Sequence, residues 1–149
     1  MVNLLKQMKA INENQLQRFI DAQENCYKNA LEEIKDGYKK SHWMWFIFPQ
    51  IIGLGFSEIS QYYAIKDINE AELYLQHDLL GNRLIEISQV LLDLDCDNAQ
   101  KIFGFPDDLK LCSSMTLFSQ IENAPIIFQK VLDKYFNGKL DDKTLQLLK

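Results

Sequence analysis

From Trp43 to Phe48 six consecutive residues are apolar, inside the run Ser41-His42-Trp43-Met44-Trp45-Phe46-Ile47-Phe48-Pro49-Gln50. A segment with no polar side cannot lie on a surface, so the remaining chain has to wrap it. The run holds both tryptophans and two of the nine phenylalanines. It is far shorter than the ~20 residues a membrane helix needs, so the medium that buries it is protein. Periodicity does not separate a short helix from a buried strand here, because every side is apolar. No other segment offers a partner strand, which favours a short central helix over 42–48. Ser41 would cap it, and Pro49 would push Phe48 out of helical angles.

The wrapping layers read as helices. Asn14 opens the first, with Gln17 as its capping-box partner. Its stripe runs through Leu16, Phe19, Ile20, Cys26, Tyr27, Ala30, Leu31 and Ile34, interrupted by Gln23 and stopped by Gly37. Gln50 to Phe56 reads as a loop. Ser57 caps a helix through Ile65 that buries Ile59, Tyr62 and Tyr63, and Asp67 with Glu70 forms another capping box. Leu80, Leu84, Ile87, Leu91 and Leu94 make the cleanest stripe of the second half. A short helix over 98–103, with Asp97 as its cap, ends at Gly104. Pro106, Asp107 and Asp108 open the next, since proline and acids suit a first turn. Ile127, Val131, Leu132 and Tyr135 mark a helix closed by Gly138, and Asp141 caps a final turn or two. The expectation is one all-α domain over 1–149. Its core gathers Trp45, Phe46, Phe48, Phe19, Leu84, Met115, Phe118 and Leu132.

Charge and cysteine usage narrow the function classes. A net charge of −5 speaks against wholesale binding to nucleic acid or an anionic membrane. The three cysteines are widely spaced and form no CxxC pair, so neither a zinc ribbon nor a thioredoxin-like site is expected, and a reduced, cytoplasmic compartment is. Two histidines and three scattered cysteines propose no metal site by spacing, and no cofactor motif is present.

Several strings together carry a family resemblance. They are the aromatic run, Leu16-Gln17-Arg18-Phe19, Gly53-Leu54-Gly55, Tyr63-Ala64-Ile65, Leu80-Gly81-Asn82-Arg83-Leu84, Ile102-Phe103-Gly104, Pro106-Asp107-Asp108-Leu109-Lys110-Leu111 and Ser113-Ser114-Met115-Thr116-Leu117-Phe118. The set resembles the uncharacterised bacterial family known as domain of unknown function 1810, over about residues 16–148. What the resemblance implies is a mainly α-helical single domain, with no activity to carry over. Some members bear the label calpastatin, an inhibitor that is a disordered, repeat-bearing chain. This sequence has no repeats.

Two constellations bear chemistry. Lys40, Ser41, His42 and Trp43 sit at the start of the aromatic segment. The first N–H groups of a helix there would favour an anion, with Lys40 and His42 beside it and Trp43 available for stacking. Asp107, Asp108, Lys110, Ser113, Ser114 and Thr116 form the second. Lys110 lies three and four residues before Ser113 and Ser114, so their polar atoms share a helix face. A lysine beside a serine suits nucleophilic chemistry, but the order reverses that of serine–lysine enzymes. The plainer account is helix capping and hydroxyl bonds to carbonyls four residues back. Asp93-Leu94-Asp95-Cys96-Asp97 fails as a calcium loop, because Asn98 and Gly104 stand where glycine and glutamate are needed. Gly53-Leu54-Gly55 fails as a dinucleotide fingerprint. His77 reads as a helix-end residue.

The leading expectation is a non-catalytic binding module for a small anionic or nucleotide-like ligand, an acidic peptide or another protein partner. The ligand-binding candidates are Lys40, Ser41, His42, Trp43, Ser113 and Ser114. The alternative is an enzyme acting on a phosphorylated or nucleotide-derived molecule. It would use His42 as acid or base, Asp108 as its partner and Lys110 as an electrostatic stabiliser.

Overall fold

The structure, a computed structural model, describes Leu4 and residues 15–149; the expected Asn14 cap lies outside them. Helix α1 covers 15–24 and ends where the Cys26 N–H bonds the Gln23 carbonyl at 3.1 Å. The expected single long helix is therefore two. The break follows Gln23, the residue that interrupts the apolar stripe, whose buried amide donates to the Phe46 carbonyl at 2.7 Å and to the Tyr74 hydroxyl at 2.9 Å. Helix α2 (Tyr27–Lys35) follows, then α3 (Met44–Ile47), α4 (Glu58–Tyr62), α5 (Ile68–Gln76), α6 (Asp78–Asp93), α7 (Ala99–Phe103), α8 (Asp107–Ser119), α9 (Ile127–Phe136) and α10 (Asp142–Leu147). The fold is all-helical. The one extended pairing among the described residues is an isolated parallel bridge between Ile51 and Ile65.

Two helices organise the packing. Helix α6 lies against α2, α5 and α9, burying Leu80, Leu84, Ile87 and Leu91 as the stripe predicts; Leu94, the last residue of that stripe, follows the helix end in extended backbone and is half-buried. Helix α8 lies against α5, α7, α9 and α10, and is buried continuously from Ser113 to Phe118. Such a helix must bury polar residues, and two of its hydroxyls are satisfied by carbonyls four residues back: Ser113 to Leu109 at 3.2 Å and Thr116 to Cys112 at 2.8 Å. Aromatic rings join the layers. Phe19 meets Tyr74 edge-on at 5.1 Å, Tyr74 meets Phe118 at 5.4 Å, and Phe118 meets Phe128 at 5.8 Å. Edge-on and tilted contacts of this kind add to area burial.

The aromatic segment is a single helical turn, α3, and its burial differs from expectation at one position. Trp43, Met44, Phe46, Ile47 and Phe48 are buried, whereas Trp45 is half-buried and opens onto a cleft. Trp43 is thus the core tryptophan, with ring contacts to Phe48 at 6.2 Å and Phe103 at 6.3 Å. Ser41 does not cap the turn, because its backbone and hydroxyl are drawn to Glu33.

Other caps follow the reading closely. Ser57, Asp67 and Asp141 each accept the N–H three residues on. His77 caps α6, its Nδ1 accepting from Leu79 and Leu80. Three details differ. Helix α4 stops at Tyr62, because the Ile65 N–H bonds the Gln50 carbonyl at 2.8 Å instead of continuing the helix. Ile59 and Tyr62, expected to be buried, are exposed. Asn98, not Asp97, caps α7. Glu70 does not reach back to its own cap residue: its carboxylate takes the Lys66 N–H at 3.0 Å and the Arg18 guanidinium at 2.9 Å.

Candidate functional site

The edge at Lys40–Trp43 gathers donors around an anion, and the anion is the protein's own. The Glu33 carboxylate on α2 accepts from the Lys40 N–H at 2.6 Å, the Ser41 N–H at 2.9 Å, the Ser41 hydroxyl at 2.7 Å and the Trp43 indole N–H at 3.0 Å. Lys39 lies over the Trp43 ring at 5.0 Å. The ring is 1% exposed, so it has no open face for a ligand to stack on. Lys40, Ser41 and His42 are exposed, and no hydrogen bond among the described residues involves the His42 side chain. A four-residue helix supplies no free N-terminal anion site, and the nearby N–H groups already serve Glu33.

Partial burial alone would raise the Glu33 carboxyl, but hydrogen bonds from Lys40, Ser41 and Trp43 outweigh it and hold it at about 2, below its ordinary 4.5. A depressed folded value stabilises the fold above about pH 4.5, and that contribution is lost as pH falls toward 2. Urea midpoints of the wild type should therefore drop more steeply over this interval than those of Glu33→Gln. Parallel pH profiles would show that the cradle adds nothing to stability.

Next to this edge a cleft of about 450 Å³ opens between α3, the 50–57 loop, the start of α8 and the start of α10. Trp45, Tyr63, Phe56 and Leu109 give it apolar walls, and Lys110, Ser113, Asp141 and Lys143 bring polar groups to it. The size and mixture suit a small molecule. The Lys110 ammonium lies 5.1 Å from the centre of the Trp45 ring, and Lys143 lies 6.0 Å from that of Phe56. Both are distances at which an aromatic face attracts a cation. Lys110 also pairs with Asp107 at 3.2 Å, and Asp107 pairs with Lys39 at 3.0 Å. The chain Lys39–Asp107–Lys110 thus ties the edge before Trp43 to the cleft beside Trp45.

Ser113 donates toward the Leu109 carbonyl and the Asp141 Oδ2, each at 3.2 Å. The same oxygen accepts from the Thr144 N–H at 3.1 Å and the Thr144 hydroxyl at 2.5 Å. The Asp141 N–H in turn donates to Thr116 at 2.9 Å. Asp141 is therefore held from both ends.

The second constellation divides. Lys110 and Ser113 reach the cleft on one face of α8, while Ser114, one residue on, is fully buried with its hydroxyl unpartnered. Asp108 has one buried oxygen without a partner, and the lysine pairs with Asp107, not with it. His42, Asp108 and Lys110 are joined by no hydrogen bond or ion pair among the described residues. Burial first, and then the charge of Asp141, push the Cys112 thiol up to about 11, which leaves it protonated and a poor nucleophile. Among the described residues no group of three His, Cys, Asp or Glu is placed to hold a metal ion. Nor is any helix there long and apolar enough to cross a membrane.

Trp45, Asp141, Lys143 and the loop were not singled out as a site by the sequence. The capping role of Asp141 was legible, but its second role depends on α10 meeting α8. The glycines of Gly53-Leu54-Gly55 serve packing: a Cβ at Gly55 would stand 2.6 Å from the Ser60 hydroxyl oxygen.

The family described as Protein of unknown function (DUF1810) matches residues 13–148. A crystal structure of the conserved hypothetical protein Rv1873 from Mycobacterium tuberculosis is similar in sequence and fold, with 47% identity and a TM-score of 0.87. The match covers 89% of this chain and 95% of that one. No curated protein matches the chain.

Proposed function

The chain belongs to the DUF1810 family of proteins of unknown function, and for this member we propose a binding module whose cleft takes a small anionic, ring-bearing ligand of nucleotide-like chemistry. The observation that carries this reading is one open cavity lined by the half-buried Trp45 ring with the Lys110 ammonium over it and by Lys143, whose ammonium lies over Phe56. A planar group would lie against Trp45, and an anionic group would meet the two lysines. This moves the aromatic role from Trp43 to Trp45 and keeps Ser113 from the sequence candidates. Lys40 and His42 are exposed on the neighbouring edge, outside the cleft. An enzymatic version would need His42, Asp108 and Lys110 to act together. The absence of a bond joining them makes binding the better supported reading.

A second reading, an acidic peptide, draws on the apolar rim. Phe56 is 80% exposed and Leu109 53% exposed where they line the cleft, and contiguous exposed apolar side chains mark interaction surfaces.

The test is a melting-temperature screen of nucleotides, phosphometabolites and aryl carboxylates. A ligand present at a hundred times its Kd stabilises by about 2.7 kcal/mol, which raises the melting temperature of a domain this size by roughly 5–10 °C. The hit should lose at least tenfold in affinity in Trp45→Ala and in Lys143→Ala, with both variants folded when unliganded and Lys143→Ala melting near the wild type. A screen without a hit, together with no co-purified small molecule in native mass spectrometry, ends the small-ligand reading.

A further inference from the structure

The two lysines account for an anion and Trp45 for a ring, but Asp141 is out of place in a site for a simple aromatic anion. It lines the cleft, and its charge opposes a phosphate or carboxylate brought there. Capping α10 does not require a carboxylate, because asparagine and serine cap equally well. The carboxylate is also asymmetric in its use. Oδ2 takes all three protein donors, from Ser113, from the Thr144 N–H and from the Thr144 hydroxyl. Oδ1 accepts no bond from any described residue and is not among the buried unpartnered oxygens. A fixed, charged acceptor at the wall of a cavity is what a ligand hydroxyl needs, and charge-assisted bonds of this kind are about twice as strong as neutral ones.

We infer that Asp141 makes the cleft selective for ligands that carry hydroxyl donors between ring and anion, the chemistry of a nucleoside monophosphate, over aromatic anions without them. This rests on the reading of the cleft given above. The ring lies on Trp45, the phosphate meets Lys110 and Lys143, and the sugar hydroxyls donate to Asp141 Oδ1. A site built to bond a hydroxyl discriminates strongly against analogues that lack it, because its own polar group is left unpaired.

Calorimetric titration tests this with three classes of probe: the four common nucleoside 5′-monophosphates, their 2′,3′-dideoxy counterparts, and 1-naphthyl phosphate. The wild type should bind at least one nucleoside monophosphate ten times or more tighter than its dideoxy form. In Asp141→Asn the remaining carbonyl oxygen stays with the Thr144 and Ser113 donors, so the amide nitrogen takes the position of Oδ1. An acceptor becomes a donor there. The variant should lose the preference between the hydroxylated and dideoxy forms, while naphthyl phosphate binds as well as before or tighter. Asp141→Ser, which keeps a capping oxygen and removes the second one, should lose the preference as well. Equal wild-type affinity for the two nucleotide forms, or naphthyl phosphate binding where no nucleoside monophosphate does, overturns the role of Asp141 and leaves the cleft reading standing. If neither nucleotides nor naphthyl phosphate bind, both fall together. The wild-type comparison needs no variant, so it holds even if one fails to fold.

Discussion

Trp43→Ala is expected to cost about 3–5 kcal/mol, a large share of the stability of a domain of this size. The indole is 1% exposed, touches Phe48 and Phe103, and carries one of the four donors that hold Glu33. Its removal leaves a cavity and also strips a hydrogen bond from a carboxylate that is only partly solvated, two losses that add in the same direction. Trp43→Phe separates them: it retains most of the volume and drops the N–H, so its cost should fall near 1–2 kcal/mol. Trp45→Ala, two residues away, should cost less than Trp43→Ala, because its ring is only partly buried and lines the cleft. Urea unfolding of the three variants checks the order. Equal losses for the two alanine variants would mean that the tryptophans share the core evenly, contrary to their burial.

That contrast also marks how far the sequence could be read. In a run where every residue is apolar, periodicity carries no sign, so which tryptophan faces inward is left open. Of the two, Trp43 alone has a partner in Glu33, ten residues upstream, and that contact depends on how α2 returns to the segment. Elsewhere local rules suffice. The stripe from Leu80 to Leu91 and the caps at Ser57, Asp67 and Asp141 are properties of a few neighbouring residues, and all stand where they were expected. The early end of α4 was not legible, because it comes from Ile65 pairing with residues 50–52 rather than from any local stop signal. The cleft was the least legible feature. It is assembled from α3, the 50–57 loop, α8 and α10, segments nearly a hundred residues apart, and no local motif joins those segments to one another. Lys110 and Ser113, which share a helix face, were the pair that spacing could find.

Gly81→Ala should reverse the usual effect of that substitution. In a helix interior alanine is normally the better residue by about 0.5–1 kcal/mol, because glycine gives up more freedom on folding. Gly81 lies one turn into α6, a helix separated from α5 by His77 alone. That abrupt join presses the end of α5 onto the first turn of α6. A Cβ at position 81 would overlap the Leu75 carbonyl oxygen and stand 2.8 Å from its carbonyl carbon. Backbone at the end of a packed helix cannot rotate aside as a side chain can, so the overlap has to be relieved by separating the two helices. The consequence spreads, because Leu80 and Leu84 on the same helix are core residues and Arg83 donates to Gln23 at 3.3 Å. We expect a loss of about 3 kcal/mol or more, at or beyond the upper end of ordinary overpacking. Gly37→Ala is the fitting control: its φ is +76° and nothing lies within 4 Å of a Cβ there, so it should cost only the backbone penalty of about 1–2 kcal/mol. Urea midpoints for the two variants give the comparison directly. A Gly81→Ala protein as stable as the wild type would mean that α5 and α6 are not locked at this crossing, and that the Leu80-Gly81-Asn82-Arg83-Leu84 string owes its glycine to something other than close helix approach.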